Sequence, residues 1–115
     1  MKRAPLIFDV LCLVLFVAIG RSAHQHGVTF AGMASTLWPF AVGLLVGWLV
    51  ALRSRGSLAA PMSGAIVVLA TVAIGMVLRV VAGQGTAFAF VVVALAFLGL
   101  FLVGWRVLAT MIARR

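Results

Sequence analysis

Four long apolar runs, separated by short polar stretches, leave this chain very few ways to fold. They cover about Pro5–Ala23, Ser35–Leu52, Pro61–Ala82 and Thr86–Ala113. Crossing a bilayer takes about 20 mainly apolar residues, and each run is close to that or longer. In hydrocarbon every backbone polar group needs a partner inside the protein, and an open strand cannot supply one. The runs are therefore predicted to be helices, in spite of β-branched stretches such as Val91-Val92-Val93. Hydrophobic residues fill 66% of the 115 positions and charged residues 9%, against about 45–50% and about 25% in soluble domains. An ordinary soluble globule and a disordered tail are both excluded. The expected architecture is all-α: residues 1–115 form a single domain, a four-helix transmembrane bundle.

The separators read as loops. The longest runs from Arg21 to Ala34, the next from Arg53 to Ala60, and Gly83-Gln84-Gly85 reads as a tight turn in which glycines allow positive φ. That short turn predicts an antiparallel pair for the third and fourth helices. Pro5, Pro39 and Pro61 are all expected near helix starts, where a missing N–H costs least. Cys12 is the single cysteine, so no internal disulfide is possible, and it reads as a small apolar residue of the first span.

Positive residues set the orientation. With the N-terminus inside, the inner side carries Lys2, Arg3, Arg53, Arg55, Arg114 and Arg115, with Arg106 close to it, while the outer side carries only Arg21 and Arg79. The expected topology is N-in and C-in, with both termini in the cytoplasm. A cleaved signal peptide is disfavoured, because Asp9 interrupts the first run and no small-x-small site follows it. The basic residues punctuate the runs and do not cluster on one face, so nucleic acid is not an expected partner. The bilayer is.

Short segments recur in order. Val17-Ala18-Ile19-Gly20 returns as Val72-Ala73-Ile74-Gly75, and Leu45-Val46-Gly47-Trp48 as Leu102-Val103-Gly104-Trp105, at offsets of 55 and 57. Two repeated helical hairpins of the same orientation would produce this pattern. Chance matches in apolar sequence would produce it as well.

Polar groups inside a membrane are costly and mark candidate sites. Asp9 is the only acid, about one turn into the first helix. Arg106 lies at a similar depth in the fourth, so the two are candidates for an ion pair. The less favoured reading makes Asp9 a proton or cation coupling group. Arg21 and Arg79 sit at the outer ends of the first and third helices, where they suit the C-terminal dipoles. With His24, Gln84 and Thr36 they could form an outer polar cluster for an anion or a headgroup. His24-x-His26 offers two metal donors, whereas structural zinc takes four and catalytic zinc three, so neither a metal nor any other cofactor is expected. Gly43-x-x-x-Gly47 is a small-residue ridge for close helix packing, within the chain or between copies. Trp38, Trp48 and Trp105 read as interfacial anchors. With one acid there is no carboxylate pair, and no nucleophile stands with a base and an orienting acid. An enzyme is not expected.

Several of these residues fall into a pattern. Asp9 in the first helix is followed by Gly20-Arg21-x-x-His24, then Thr36-x-Trp38-Pro39-Phe40, Gly75-Met76-x-Leu78-Arg79 and Gly104-Trp105-Arg106. In these motifs the chain resembles the domain-of-unknown-function 3054 family of small bacterial membrane proteins. The resemblance spans nearly the whole chain. It implies a four-helix integral membrane protein and brings no activity with it. The residues themselves point to a polytopic protein that acts by association, as a homo-oligomer or as a small subunit of a membrane complex. The alternative is a small proton- or cation-coupled transporter or channel that uses Asp9.

Overall fold

A computed structural model describes residues 3–23 and 29–114 of the chain. Helices α1 (Ala4–Ala23), α2 (Phe30–Arg55) and α3 (Pro61–Val81) are followed by α4 (Phe88–Leu98), a π-helical segment (Gly99–Val103) and α5 (Gly104–Ala113). The last three form one continuous span, Phe88–Ala113, so four helices are long and apolar enough to cross a membrane. The longest dimension of the bundle is 43 Å. A bilayer with its headgroup regions measures about 40–45 Å.

Helix α2 begins five residues earlier than its apolar run suggests. The Thr29 hydroxyl accepts a hydrogen bond from the Gly32 N–H at 3.1 Å, which satisfies one of the amides left over at a helix start. Pro39 consequently lies inside α2 and not near its start. Its ring offers no N–H to the carbonyl four residues back, that of Ser35. The Gln84 side-chain amide donates to this carbonyl at 3.2 Å instead. The helix ends at Gly56, which takes φ 74° and turns its N–H back to the Leu52 carbonyl. The connection from α3 to α4 covers residues 82–87, longer than the expected turn, and only Gly83 of its glycines uses positive φ.

Small residues let α2 and α3 lie almost in backbone contact. A Cβ at Gly43 would come within 2.8 Å of the Thr71 Cα and carbonyl oxygen, and one at Gly47 within 3.0 Å of the Val67 Cα. The ridge therefore packs inside the chain. At Gly75 the Phe40 ring packs against α3, where a Cβ would stand 2.5 Å from the ring's Cδ1. Around this pair Leu13, Phe16, Val17, Leu44, Val68, Val72, Leu98 and Leu102 close the core. Phe16 is its hub, touching Phe40 edge-on and packing against Phe90 and Phe97. Gly99 and Gly104 have no neighbour that a Cβ would meet. They bracket the π-helical segment and do not serve as packing sites.

That segment fixes the face of the last span. Ala94, Leu98, Leu102 and Arg106 are buried at a spacing of four. At about 3.6 residues per turn, each such step drifts by about 40°. The wider π turn takes up the drift and keeps Arg106 on the face that Leu98 presents to the core. Single π turns within helices are often associated with functional residues.

Candidate functional site

Two polar centres lie at opposite ends of the bundle. The first is at the end that carries the termini. Asp9 and Arg106 are both fully buried, and the guanidinium meets the carboxylate in a two-pronged pair, Nη1 to Oδ1 at 2.8 Å and Nη2 to Oδ2 at 2.7 Å. Two indoles complete the shell: Trp48 Nε1 donates to Oδ2 at 2.8 Å and Trp105 Nε1 to Oδ1 at 2.9 Å. An ionised carboxylate has about four lone-pair sites, and all are occupied. Arg106 also donates from Nε to the Leu58 carbonyl at 2.7 Å and from Nη1 to the Leu102 carbonyl at 2.8 Å. Its guanidinium carbon stands 4.4 Å from the Trp105 ring centre, and Phe8 packs against the other partner of that layer, the Trp105 ring, at 5.1 Å.

The centre thus ties together α1, α2, α5 and the segment between α2 and α3. Leu58 is held there in part by its neighbours: the Ser63 hydroxyl donates to the Ser57 carbonyl. Gly64 is required for the arginine to pass, since a Cβ there would stand 2.8 Å from Arg106 Cδ and 3.1 Å from the Leu102 carbonyl oxygen. Charge in hydrocarbon is tolerated when it is paired and its hydrogen bonds are met, and both conditions hold here. Trp48→Phe keeps the ring and removes one donor to the buried carboxylate. It is expected to lower stability by about 1.5–3 kcal/mol, measured by thermal unfolding in detergent micelles. Trp38→Phe, at a half-exposed ring, serves as the control that changes little.

The second centre is at the far end. Arg21 on α1 donates from Nη1 to the Thr36 hydroxyl at 2.9 Å. Arg79 on α3 donates from Nη1 to Gln84 Oε1 at 3.0 Å and from Nε to the Gly85 carbonyl at 2.8 Å. Gln84 in turn reaches the Ser35 carbonyl on α2, as described above. Both arginines are therefore anchored to adjacent residues of α2, and both line one cavity of about 510 Å³ together with Phe16, Gly20, Ala89 and Phe90. The Arg79 guanidinium sits 4.7 Å from the centre of the Phe90 ring, a cation–π arrangement.

Of the residues singled out in the sequence, Asp9 and Arg106 meet, as do Arg21, Thr36, Arg79 and Gln84. His24 and its neighbour His26 lie outside the described residues. Among the described residues no group of three His, Cys, Asp or Glu side chains comes together. Trp48 and Trp105 carry a role that sequence reasoning missed. Beside their reading as interfacial anchors, their indole N–H groups point inward to Asp9. Their signal was visible, for both close the repeated Leu-Val-Gly-Trp segment and both share the depth of the only acid.

The family comparison agrees with these motifs. A family model described as a protein of unknown function (DUF3054) matches residues 6–109. Neither a curated protein nor a solved structure matches the chain. With nearly the whole length covered, and with four membrane-capable helices, the chain belongs to the DUF3054 family.

Proposed function

We propose that the protein is a non-enzymatic, multi-pass protein of the bacterial cytoplasmic membrane, with both termini in the cytoplasm, that acts by association. Its partners are the bilayer and either further copies of itself or the chains of a larger membrane complex. The observation that carries this reading is the saturated state of Asp9. A coupling carboxylate must exchange its partner for a proton or cation during each cycle. Here the only acid already accepts four N–H donors from a fully buried arginine and two indoles, and no other carboxyl side chain exists to share the work. The clamp therefore serves the architecture. The last span supports association: 17% of its most apolar window is buried within the chain, against 28–33% for the other three. It offers Leu95, Leu100 and Leu108 outward.

Crosslinking in native membranes, paired with proton-flux assays on the protein in liposomes, tests the reading. The expected result is crosslinked species larger than one chain and a proton leak equal to that of empty liposomes. Wild-type flux that Asp9→Asn abolishes would establish the transporter instead. Recovery of single chains only would remove the association.

A further inference from the structure

The far-end cavity carries two arginines and no acidic side chain. The sequence holds one acidic side chain, Asp9, and that residue is buried against Arg106 at the opposite end. Arg21 and Arg79 line the same cavity, so this chain has no carboxylate side chain that could neutralise them there. Their hydrogen bonds to Thr36, Gln84 and the Gly85 carbonyl orient the guanidinium groups without cancelling their charge. Two cations at the edge of a membrane, in a chain whose one acidic side chain lies at the opposite end, attract an anion from outside. The rest of the wall is apolar. Phe16, Phe90 and Val93 line it, and Gly20 leaves it open, since a Cβ there would meet nothing within 4 Å. A volume of about 510 Å³ lies within the range of about 300–1,000 Å³ that small-molecule sites occupy.

We propose that this cavity binds an anionic amphiphile, with a phosphate-bearing headgroup between Arg21 and Arg79 and the start of an acyl chain against Phe16, Phe90 and Val93. The membrane itself is the source of such a molecule, and an acidic phospholipid is the matching class. Arg suits the role because its planar fork pairs with phosphate oxygens in two-pronged fashion. Gln84 is the positioning residue. It holds Arg79 through its carbonyl oxygen while its amide covers the Ser35 carbonyl that Pro39 leaves without a donor.

Native mass spectrometry on the full chain in neutral detergent tests the proposal, with phosphatidylglycerol and phosphatidylcholine of identical acyl chains as probes. One phosphatidylglycerol per chain is expected, held about tenfold more tightly than phosphatidylcholine. Arg21→Gln and Arg79→Gln are each expected to weaken it by about tenfold. Gly20→Leu fills the cavity and leaves both charges in place, so it too is expected to release the lipid. It keeps the test decisive even where an arginine variant fails to fold. Arg53→Gln and Arg55→Gln, at the other end of α2, are expected to change nothing. Inorganic phosphate is expected to compete only far above the lipid concentration. Lipid retention that survives Gly20→Leu, or that falls only in the Arg53 and Arg55 variants, overturns the proposal. So does displacement by inorganic phosphate at concentrations equal to the lipid, because the apolar wall would then contribute nothing.

Discussion

Asp9→Leu is expected to lower the stability of the folded protein by about 3–5 kcal/mol, read from thermal or denaturant unfolding in micelles. The loss comes from what remains behind. Arg106 stays fully buried with its charge uncompensated, and the indole N–H groups of Trp48 and Trp105 lose their acceptor in the same step. Breaking a buried pair is costly in this way even where the intact pair adds little net stability, because desolvation offsets most of its attraction. Arg106→Leu is expected to be milder, since the two indoles still cover the carboxylate from two directions. Asp9→Asn retains the size and some of the hydrogen bonding and should fall between wild type and leucine. Equal stability of wild type and Asp9→Leu would mean that the carboxylate is not buried against arginine at all.

Gly43→Leu is the second large effect. A Cβ at this position would stand 2.8–2.9 Å from backbone atoms of Thr71 and Ala70. Backbone on a packed helix cannot swing aside as a side chain does, so α2 and α3 must separate. Overpacking of this kind costs about 1–3 kcal/mol, and the tight contact places Gly43→Leu at the upper end, about 3 kcal/mol. Gly20→Leu is the informative contrast, because its Cβ has open space around it. The comparison also separates two roles of a small-residue ridge. A ridge used between copies would change the assembly and spare the fold of the single chain; here the fold is expected to weaken first. Unchanged unfolding of Gly43→Leu together with a lost crosslink would reverse that assignment.

The four spans were legible because hydrocarbon thickness and backbone hydrogen bonding leave one solution for long apolar runs. The Asp9–Arg106 pair was legible by elimination, from a single acid and a basic residue at matching depth. Four members of the far-end cluster, Arg21, Thr36, Arg79 and Gln84, followed from helix ends and loop positions, while its fifth, His24, lies outside the described residues. Part of what could not be read has one cause: lipid is as apolar as leucine, so hydrophobic periodicity does not separate the lipid-facing side of a span from its core side. Trp48 and Trp105 could therefore be placed in depth, while the inward face on which they meet Asp9 could not be read. The π turn before Arg106 answers a demand of packing, and nothing in Gly-Leu-Phe-Leu-Val announces it. The start of α2 is set by the Thr29 hydroxyl cap, a boundary that the apolar run does not mark. That displacement also misplaced Pro39, and the partner that repairs its helix, Gln84, is far away in sequence.

The clamp at one end and the cationic cavity at the other give the bundle a division of labour. One centre is neutral overall, sealed and bound to four segments. The other is cationic, roomy and formed where four helices and a loop converge. The first holds the frame on which the second is displayed.

The coupling between Asp9 and Arg106 tests this account most directly. In a double-mutant cycle with Asp9→Leu, Arg106→Leu and the pair, unfolding in micelles should show the double variant recovering most of the loss, with a coupling of about 2 kcal/mol or more. Losses that add to within about 0.5 kcal/mol would show that the two residues do not meet, and would contradict the frame on which everything else rests.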